Sequence, residues 1–410
     1  MIDVAAMRDD QQLVKRLKLK DPNYPVDRLL QLDGQRRSLM TSIEQLRARK
    51  NELAKTAHAG VTDQVRSESM ALSEQLKKQE AELEVITGEF KTLYLHCPNI
   101  PEASLPVGGK EANKSVEQWG TKPTFDFTPL NHIDLGKKNA WFDFEAAARM
   151  SGSGFVLYKG DAVKLIYALT HLMLRNNRQH GFEPLLPPYL INEKALETAS
   201  NFPRFKQDVY AIKDEDLFLT PTAEVNLTNM YRDMILNAEQ LPVRMTAWTS
   251  CFRREAGGYG AHERGLIRIH EFEKVELYSI VKPEDSMQEL EHMCACAQKI
   301  LQQLGLHYRV SLLATQDCSF ASAKTYDLEV WMPGQQAYYE VSSCSNCTDF
   351  QARRGGIRWR RSATAKPELV HTLNASSLAL PRLMVALMET YQQKDGSIVL
   401  PPALAMYMDW

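Results

Sequence analysis

Residues 243–278, VRMTAWTSCFRREAGGYGAHERGLIRIHEFEKVELY, decide the fold of this chain. Polar and apolar residues alternate over Val243–Phe252, which is typical of a strand. Leu266–Tyr278 also has strand character and can run back antiparallel to it across the glycine-rich loop 257–260. The stretch therefore predicts a long antiparallel hairpin in the sheet of a mixed domain.

The second strand of this hairpin predicts a site. In an extended chain Arg268, Phe272 and Glu276 lie on one face, because their numbers differ by multiples of two. That face could hold a cation, an aromatic platform and a carboxylate together. The first strand ends in Arg253 and Arg254, whose planar guanidinium groups suit phosphate oxygens.

A second hairpin is predicted further along the chain. Tyr326–Trp331 is followed by a turn at Met332–Gln335 and a returning strand at Tyr338–Ser343. That strand carries Glu340 and Ser343, oxygen ligands suited to Mg²⁺ beside a nucleotide. The chain has neither a P-loop nor a GxGxxG fingerprint, so bound ATP would lie on an antiparallel sheet.

The N-terminal part has the pattern of a helical hairpin. A heptad of apolar residues starts at Leu29, breaks at residues 57–60, resumes at Leu72 and ends at the prolines of 98–101. Two helices of similar length around one break predict an antiparallel pair. Basic and acidic side chains are interleaved on the exposed face of this pair. That pattern leaves three roles open: a solvated face, a dimerisation arm or a binding arm.

The bulk composition limits the class of protein. The 49 basic and 51 acidic residues nearly cancel, so a nucleic-acid partner would meet a local basic surface rather than the overall charge. No run of about 18 apolar residues occurs, which predicts a cytoplasmic protein without membrane contact. We predict a domain at 1–104, a linker at 105–122 and a main domain at 123–410.

The seven cysteines do not predict a disulfide framework, because their number is odd and they are widely spread. Cys344 and Cys347 have the spacing of a zinc knuckle, but a structural zinc site needs four ligands. Cys294 and Cys296 do not form a matching second pair. We therefore expect packed core thiols and no zinc.

Taken together and in this order, these stretches resemble the class II aminoacyl-tRNA synthetases, and specifically the bacterial type of seryl-tRNA synthetase. The arginine-containing hairpin at 252–276 resembles motif 2, Gly181–Pro188 resembles motif 1, and Asn374–Arg382 resembles motif 3. Three further stretches narrow the resemblance to the serine enzymes: Thr220–Glu224, Tyr326–Gly334 and Glu340–Cys347 running into Phe350–Arg353.

The resemblance implies an α+β fold, with an antiparallel catalytic sheet flanked by helices and an N-terminal antiparallel two-helix coiled-coil arm. It also implies a role for each matching residue. The catalytic residues would be Arg253, Glu255 and Arg382. The serine-binding residues would be Thr222, Ala223, Glu224, Arg253, Glu276, Asn374 and Ser376. The ATP-binding residues would be Arg253, Arg254, Glu255, Arg268, Phe272, Glu340, Val341, Ser342, Ser343 and Arg382. The Mg²⁺ ligands would be Glu340 and Ser343.

The implied reaction forms seryl-adenylate from L-serine and ATP and transfers the seryl group to tRNA(Ser), and to tRNA(Sec) where one exists. The implied assembly is a homodimer whose arm reaches the long variable arm of the tRNA. Ala375 and Ser377 stand where the family commonly has glycines, which bears on the fit around the substrate. Ser376 and Arg382 are retained, so we expect activity.

Two other functions compete with this interpretation. A synthetase-like enzyme could transfer the activated amino acid to a carrier protein, but known homologues of that kind lack the N-terminal arm. A coiled-coil regulator with a degenerate synthetase domain is the second alternative. Retention of Arg253, Glu255, Glu340 and Arg382 argues against it, because degeneration has no reason to spare phosphate and metal contacts.

Overall fold

The chain folds into two compact units, Met1–Pro98 and Asn99–Trp410. The structure, a computed structural model, describes residues 1–57, 62–256 and 264–408. Most of the predicted helix break at 57–60, and the whole glycine-rich loop at 257–260, lie outside the described residues.

The first unit is helical. Its helices are α1 (Val4–Asp9), α2 (Gln11–Lys20), α3 (Val26–Ala57) and α4 (Asp63–His96). Arg28 pairs with Glu89 at 2.6 Å and Arg49 with Glu68 at 3.1 Å, so numbers that rise along α3 fall along α4. The two long helices are therefore antiparallel, as predicted. Their buried apolar residues include Leu29, Leu32, Ile43, Leu76 and Phe90.

The second unit mixes helices and strands. Its helices are α5 (His132–Lys138), α6 (Phe144–Ser151), α7 (Asp161–Gln179), α8 (Glu193–Thr198), α9 (Ala223–Asn229), α10 (Ser286–Gln303), α11 (Phe350–Gly355), α12 (Leu380–Tyr391) and α13 (Ala405–Met408). Its strands are β1 (Lys114–Trp119), β2 (Phe142–Asp143), β3 (Leu157–Tyr158), β4 (Glu183–Leu185), β5 (Leu190–Asn192), β6 (Leu217–Leu219), β7 (Ile235–Asn237), β8 (Val243–Phe252), β9 (Glu271–Val281), β10 (Tyr308–Leu312), β11 (Lys324–Met332), β12 (Ala337–Asn346), β13 (Arg358–Arg360), β14 (Glu368–Leu369) and β15 (His371–Ala379).

An eight-stranded sheet organises this unit, with the strand order β1-β10-β11-β12-β15-β9-β8-β4. Neighbouring strands are antiparallel, except that β4 runs parallel to β8. Helices α7, α10 and α12 pack their apolar faces on the sheet and form the main core with it. The predicted fold class, an antiparallel sheet flanked by helices, is confirmed.

The two predicted hairpins are present, with one correction. Strand β8 has the predicted bounds, and β11 and β12 form the second hairpin. The strand predicted to begin at Leu266 begins at Glu271, because residues 265–267 form a short 3₁₀ turn. Gly265 adopts φ +66° there, and a Cβ at this position would lie 2.3 Å from Nε2 of His132. A long-range contact thus forces the turn, which local alternation does not reveal.

The predicted linker at 105–122 also needs correction. It contains β1, which pairs antiparallel with β10 and forms one edge of the main sheet. The Trp119 ring stacks on that of Tyr308 with centroids 5.8 Å apart. Most side chains of β1 are exposed, so the strand lacks the alternation of polar and apolar residues by which strands are predicted.

Two further predictions concern the membrane and the cysteines. Among the described residues, no helix has the length and apolar character needed to span a bilayer. All seven cysteines are free thiols and all are buried. Cys344, on β12 of the main sheet, is part of the main core.

Candidate active site

A cavity of about 530 Å³ opens over β9, β12 and β15 and the start of α12. Most of the predicted site residues line it, although they come from five separate stretches of sequence. Those residues are Glu224, Arg253, Glu255, Arg268, Phe272, Glu276, Glu340, Val341, Ser343, Asn374, Ser376 and Arg382.

Four predicted residues do not line the cavity. Thr222 lies just behind it, as the cap of α9, and Ala223 is fully buried. The Arg254 side chain is exposed, while its backbone N–H donates to the Asp208 carbonyl at 2.8 Å. The Ser342 hydroxyl donates to the backbone carbonyl of Ser376. The roles predicted for these four residues stay predictions.

One end of the cavity is formed by Glu224, Glu276, Asn374 and Ser376, and we call it the carboxylate end. The Thr222 hydroxyl donates to Oε2 of Glu276 at 3.2 Å and accepts from the backbone N–H of Glu224 at 3.2 Å. Oε1 of Glu224 accepts from Nδ2 of Asn374 at 3.0 Å. Every acidic group at this end is thus held by another side chain.

Further polar groups fix Glu224 from behind. Nε2 of Gln351 donates to Oε1 of Glu224 at 2.6 Å. The side-chain Oε1 of Gln351 accepts from the hydroxyls of Tyr278 at 3.1 Å and Thr372 at 2.8 Å. All three supporting side chains are buried. Such a closed network holds a carboxylate in one orientation, because few of its members can move alone.

Burial controls the protonation of the two carboxylates. It raises the pKa of Glu224 to about 7, with a further contribution from the negative charge of Glu276. Burial also raises the pKa of Glu276, while the Lys274 ammonium opposes that shift. A cationic ligand group would favour ionisation of both.

The opposite end is formed by Arg253, Glu255, Arg268, Phe272 and Arg382, and we call it the arginine end. Oε2 of Glu255 accepts from Nε of Arg268 at 2.6 Å, and the Arg253 guanidinium lies 5.2 Å from the Phe272 ring centre. Glu255 adopts φ +51°, a left-handed backbone conformation that is uncommon for a residue other than glycine. Cations beside an aromatic face suit a phosphate-bearing ligand with a planar base.

Arg382 connects the arginine end with the second hairpin. Its Nη1 donates to the Glu340 backbone carbonyl at 2.8 Å, and its Nε donates to the Ile267 carbonyl at 3.3 Å. The Glu340 carboxylate lies 3.7 Å from the same guanidinium. The side chain is therefore held across the cavity by two separate segments, the turn at 265–267 and β12.

Oxygen ligands for a divalent cation lie beside Arg382. Glu340 and Ser343 line the cavity, and Asp327 faces Ser343 across the β11–β12 ladder. Among the described residues, Oδ1 of Asp327 is buried without a hydrogen-bond partner. Burial, followed by the charge of Glu340, raises the pKa of Asp327 to about 8. An oxygen-bound Mg²⁺ fits this excess of carboxylate.

The described residues contain no cluster of three or more His, Cys, Asp or Glu side chains arranged to hold a metal. Two protein ligands remain sufficient for Mg²⁺, which keeps several waters and takes its other ligands from substrate phosphates.

The two departures in motif 3 face away from the cavity. Ala375 is fully buried in the main core, and the Ser377 hydroxyl donates to Oδ1 of Asn177 on α7 at 3.0 Å. Asn374 and Ser376, which flank Ala375, face the cavity instead. The added bulk therefore lies on the helix side of β15 and leaves the cavity unchanged.

Sequence reasoning overlooked two groups. Lys274 lines the cavity, and the same count by twos that groups Phe272 with Glu276 would have found it. His132 accepts from the Leu266 N–H at 3.2 Å, and its Nδ1 lies 3.4 Å from the buried Glu389. No local pattern points to His132, because its partners are more than a hundred residues away.

Comparison with family models identifies both units. Residues 205–391 match the tRNA synthetase class II core domain (G, H, P, S and T). Residues 1–101 match the seryl-tRNA synthetase N-terminal domain. The fold and the cavity thus define a class II aminoacyl-tRNA synthetase.

Individual relatives narrow the class. A serine–tRNA ligase of Coxiella burnetii is 44% identical over 417 residues, covering 100% of this chain and 99% of its own. One of Desulfitobacterium hafniense is 43% identical over 415 residues, with the same two coverages. The crystal structure of seryl-tRNA synthetase from Pyrococcus horikoshii complexed with ATP superposes with a TM-score of 0.93 at 33% identity, covering 100% of this chain and 98% of that one. This chain belongs to the seryl-tRNA synthetase family, whose members are serine–tRNA ligases.

Proposed function

We propose that the chain activates L-serine with ATP and transfers the seryl group to the 3′ end of tRNA(Ser). The observation that carries this proposal is a single cavity with a carboxylate end and an arginine end. An amino acid needs a partner for its ammonium, and ATP needs cations for its phosphates. The two ligands would therefore lie side by side, with their reacting groups in the middle.

L-Serine would bind at the carboxylate end. Glu224 and Glu276 would hold its ammonium, the nearby Ser376 would recognise its hydroxyl together with them, and Thr222 would hold Glu276 in place. A buried site built to hydrogen-bond a hydroxyl rejects alanine strongly, because alanine would leave those groups unpaired. Threonine would be rejected by the limited room between the networked side chains.

ATP would bind at the arginine end. Phe272 would stack on adenine, while Arg253 and Arg382 would bind the phosphates. The serine carboxylate would attack the α-phosphorus, forming the seryl-adenylate bond as the bond to pyrophosphate breaks. That carboxylate is already ionised, so the step needs no general base, and alignment with charge neutralisation suffices.

Mg²⁺ is part of this proposal, and Glu340 and Ser343 are the residues that would hold it. Bound there, it would neutralise phosphate charge next to Arg382. The buried Asp327 would accept from Ser343 and so orient that ligand's oxygen.

The helical arm of the first unit would bind the tRNA. Its exposed basic side chains include Arg37, Lys77 and Lys78, which could contact phosphates of the long variable arm. Shape and backbone recognition of this kind would extend to tRNA(Sec) where that tRNA exists. Because tRNA charging serves translation, we expect the enzyme in the cytoplasm.

We also propose a homodimer. Strand β4 forms one of the two edges of the main sheet, and apolar side chains that follow it are exposed. Leu186 is 76% exposed and Leu190 is 45% exposed, which is costly for a monomer in water. Light scattering should give twice the chain mass, and Leu186→Asp should lower the mass toward that of the monomer.

ATP–pyrophosphate exchange tests the central proposal. Purified protein with Mg²⁺ should exchange with serine and much less with threonine, alanine or glycine. Serylation of total tRNA should follow. Exchange without charging would favour transfer to a carrier protein, and no exchange with any amino acid would favour a degenerate regulator.

A further inference from the structure

A buried lysine lies among the carboxylates of the cavity. Lys274 is on β9 and is only 6% exposed, yet its side chain lines the cavity. Its Nζ donates to Oγ1 of Thr222 at 2.8 Å and forms an ion pair with Oε2 of Glu276. One ammonium therefore contacts both Glu276, which we propose to bind serine, and Thr222, which holds Glu276 in place.

These contacts use the full bonding capacity of the Thr222 hydroxyl. It accepts from Lys274 and from the Glu224 N–H, and it donates to Glu276. A hydroxyl has one donor and two acceptor sites, so its orientation is completely determined. Replacing Lys274 would free one acceptor site and allow the hydroxyl to turn away from Glu276.

The charges in the cavity give Lys274 a second consequence. Two groups near Glu276 are charged and lie on other elements: Glu224 on α9 and Arg253 just after β8. Lys274 lies on the same strand as Glu276, and Cys251 lies on β8. Without the lysine, two buried carboxylates would share one nearby cation. Because burial raises the pKa of Glu276 and Lys274 lowers it, Glu276 would then retain its proton at higher pH.

We infer that Lys274 is a positioning residue for serine: with Thr222, its ammonium holds the Glu276 carboxylate in the orientation that binds the substrate ammonium and hydroxyl. The inference rests on the proposed function. It assigns Lys274 no contact with ATP, because its polar contacts within the described part of the chain lie at the carboxylate end. A purely structural ion pair would instead affect stability and both substrates alike.

The test compares Lys274→Met and Lys274→Gln with the wild-type enzyme in ATP–pyrophosphate exchange. The KM for serine should rise on the order of 10- to 100-fold in both variants, as expected for loss of a charge-assisted hydrogen bond. The KM for ATP should stay within about twofold. Lys282→Met, one residue beyond the end of β9, is the matched control and should behave as wild type.

A pH profile adds a readout that a structural role would not change. The pH at which kcat/KM for serine reaches half its maximum should move upward in Lys274→Met, since Glu276 must then lose its proton without a neighbouring ammonium. Lys274→Arg should keep the wild-type profile while raising the KM for serine, because a planar guanidinium keeps the charge but not the geometry.

The outcomes separate the inference from the proposed function. If the wild type shows no serine-dependent exchange, the proposed function fails. If the wild type is active and the variants keep its KM for serine, only the inference fails. It also fails if both KM values rise together with a lower melting temperature. Should Lys274→Met not fold, Lys274→Gln decides, because glutamine can still donate to Thr222.

Discussion

The two ends of the cavity are built differently. At the carboxylate end, Glu276 and Thr222 are almost completely buried, and Glu224 is fixed by Asn374 and Gln351. At the arginine end the side chains are partly exposed, and Arg382 is held mainly through backbone carbonyls. The carboxylate end is thus arranged before any ligand arrives, whereas the arginine end is more open to solvent.

This difference agrees with what each proposed ligand demands. Serine is small and must be told from close analogues, which requires fixed hydrogen-bond partners. ATP is large and highly charged, so several cations at a partly solvent-exposed end can bind its phosphates together. Substitutions at the two ends should therefore separate in their effects on the two substrates.

The largest effect is expected for Glu276→Gln. The change removes the negative charge and leaves Lys274 buried without its partner, so kcat/KM for serine should fall about 1000-fold. The affinity for ATP, measured by calorimetry, should change less than about threefold. Glu271→Gln, on the same strand but exposed and outside this cavity, is the control. An equal loss for both substrates would contradict the separation of the two ends.

Arg382→Ala tests the arginine end. Loss of a cation from the developing phosphate charge should lower kcat for exchange about 100-fold. Serine binding without ATP should be unchanged in calorimetry, because among the described residues the polar partners of Arg382 are Ile267 and Glu340, outside the carboxylate end. Arg382→Lys should recover little of the exchange activity, since an ammonium cannot replace the planar guanidinium that donates to two backbone carbonyls at once. Full activity of the lysine variant would refute this account of the arginine end.

The third prediction concerns pH. Below a pKa of about 7, Glu224 is protonated in the free enzyme, and it must release that proton to hold the substrate ammonium. Serine affinity should therefore weaken about tenfold for each pH unit below 7. Calorimetry in two buffers of different ionisation enthalpy should detect proton release at pH 6.5. In Glu224→Gln the affinity should be lower and the proton release should disappear.

The same carboxyl should make the free energy of unfolding decrease as the pH rises, whereas the affinity for serine should increase. Its folded pKa of about 7 lies above the unfolded value, so the folded state binds the extra proton between them. The contribution of Glu224 to the free energy of unfolding is present at acid pH and is lost as the pH rises through about 7. The melting temperature of ligand-free Glu224→Gln, taken relative to that of the wild type at the same pH, should increase as the pH is raised from 5.5 to 8. A constant difference would mean that Glu224 titrates normally.

The sequence predicted those parts of the fold that local pattern determines. Strand β8 has the predicted bounds, and the heptads predicted the antiparallel pair α3 and α4. Strand β1 was missed because an exposed edge strand is held by its backbone hydrogen bonds rather than by apolar side chains. The start of β9 was misplaced because a distant histidine, His132, fixes the preceding turn.

The residues that line the site were mostly predicted, but the residues that support them were not, for a related reason. Family motifs gathered residues from five stretches that no local rule would bring together, and most of them line one cavity. The motifs name residues without saying what supports them, so Gln351 and Asp327 were not predicted. Their importance arises from contacts across the sheet, which a single sequence does not contain.

The smallest effect is expected for the double change Ala375→Gly and Ser377→Gly, which restores glycines beside Ser376. Neither side chain faces the cavity, so the KM for serine and the KM for ATP should both stay within about twofold. Stability should fall by roughly 1–3 kcal/mol, because glycine weakens a strand and the hydrogen bond to Asn177 is lost. Chemical denaturation measures this loss. A marked change in serine KM without loss of stability would show that these positions shape the pocket, and the carboxylate end would then extend through β15 to its helix side.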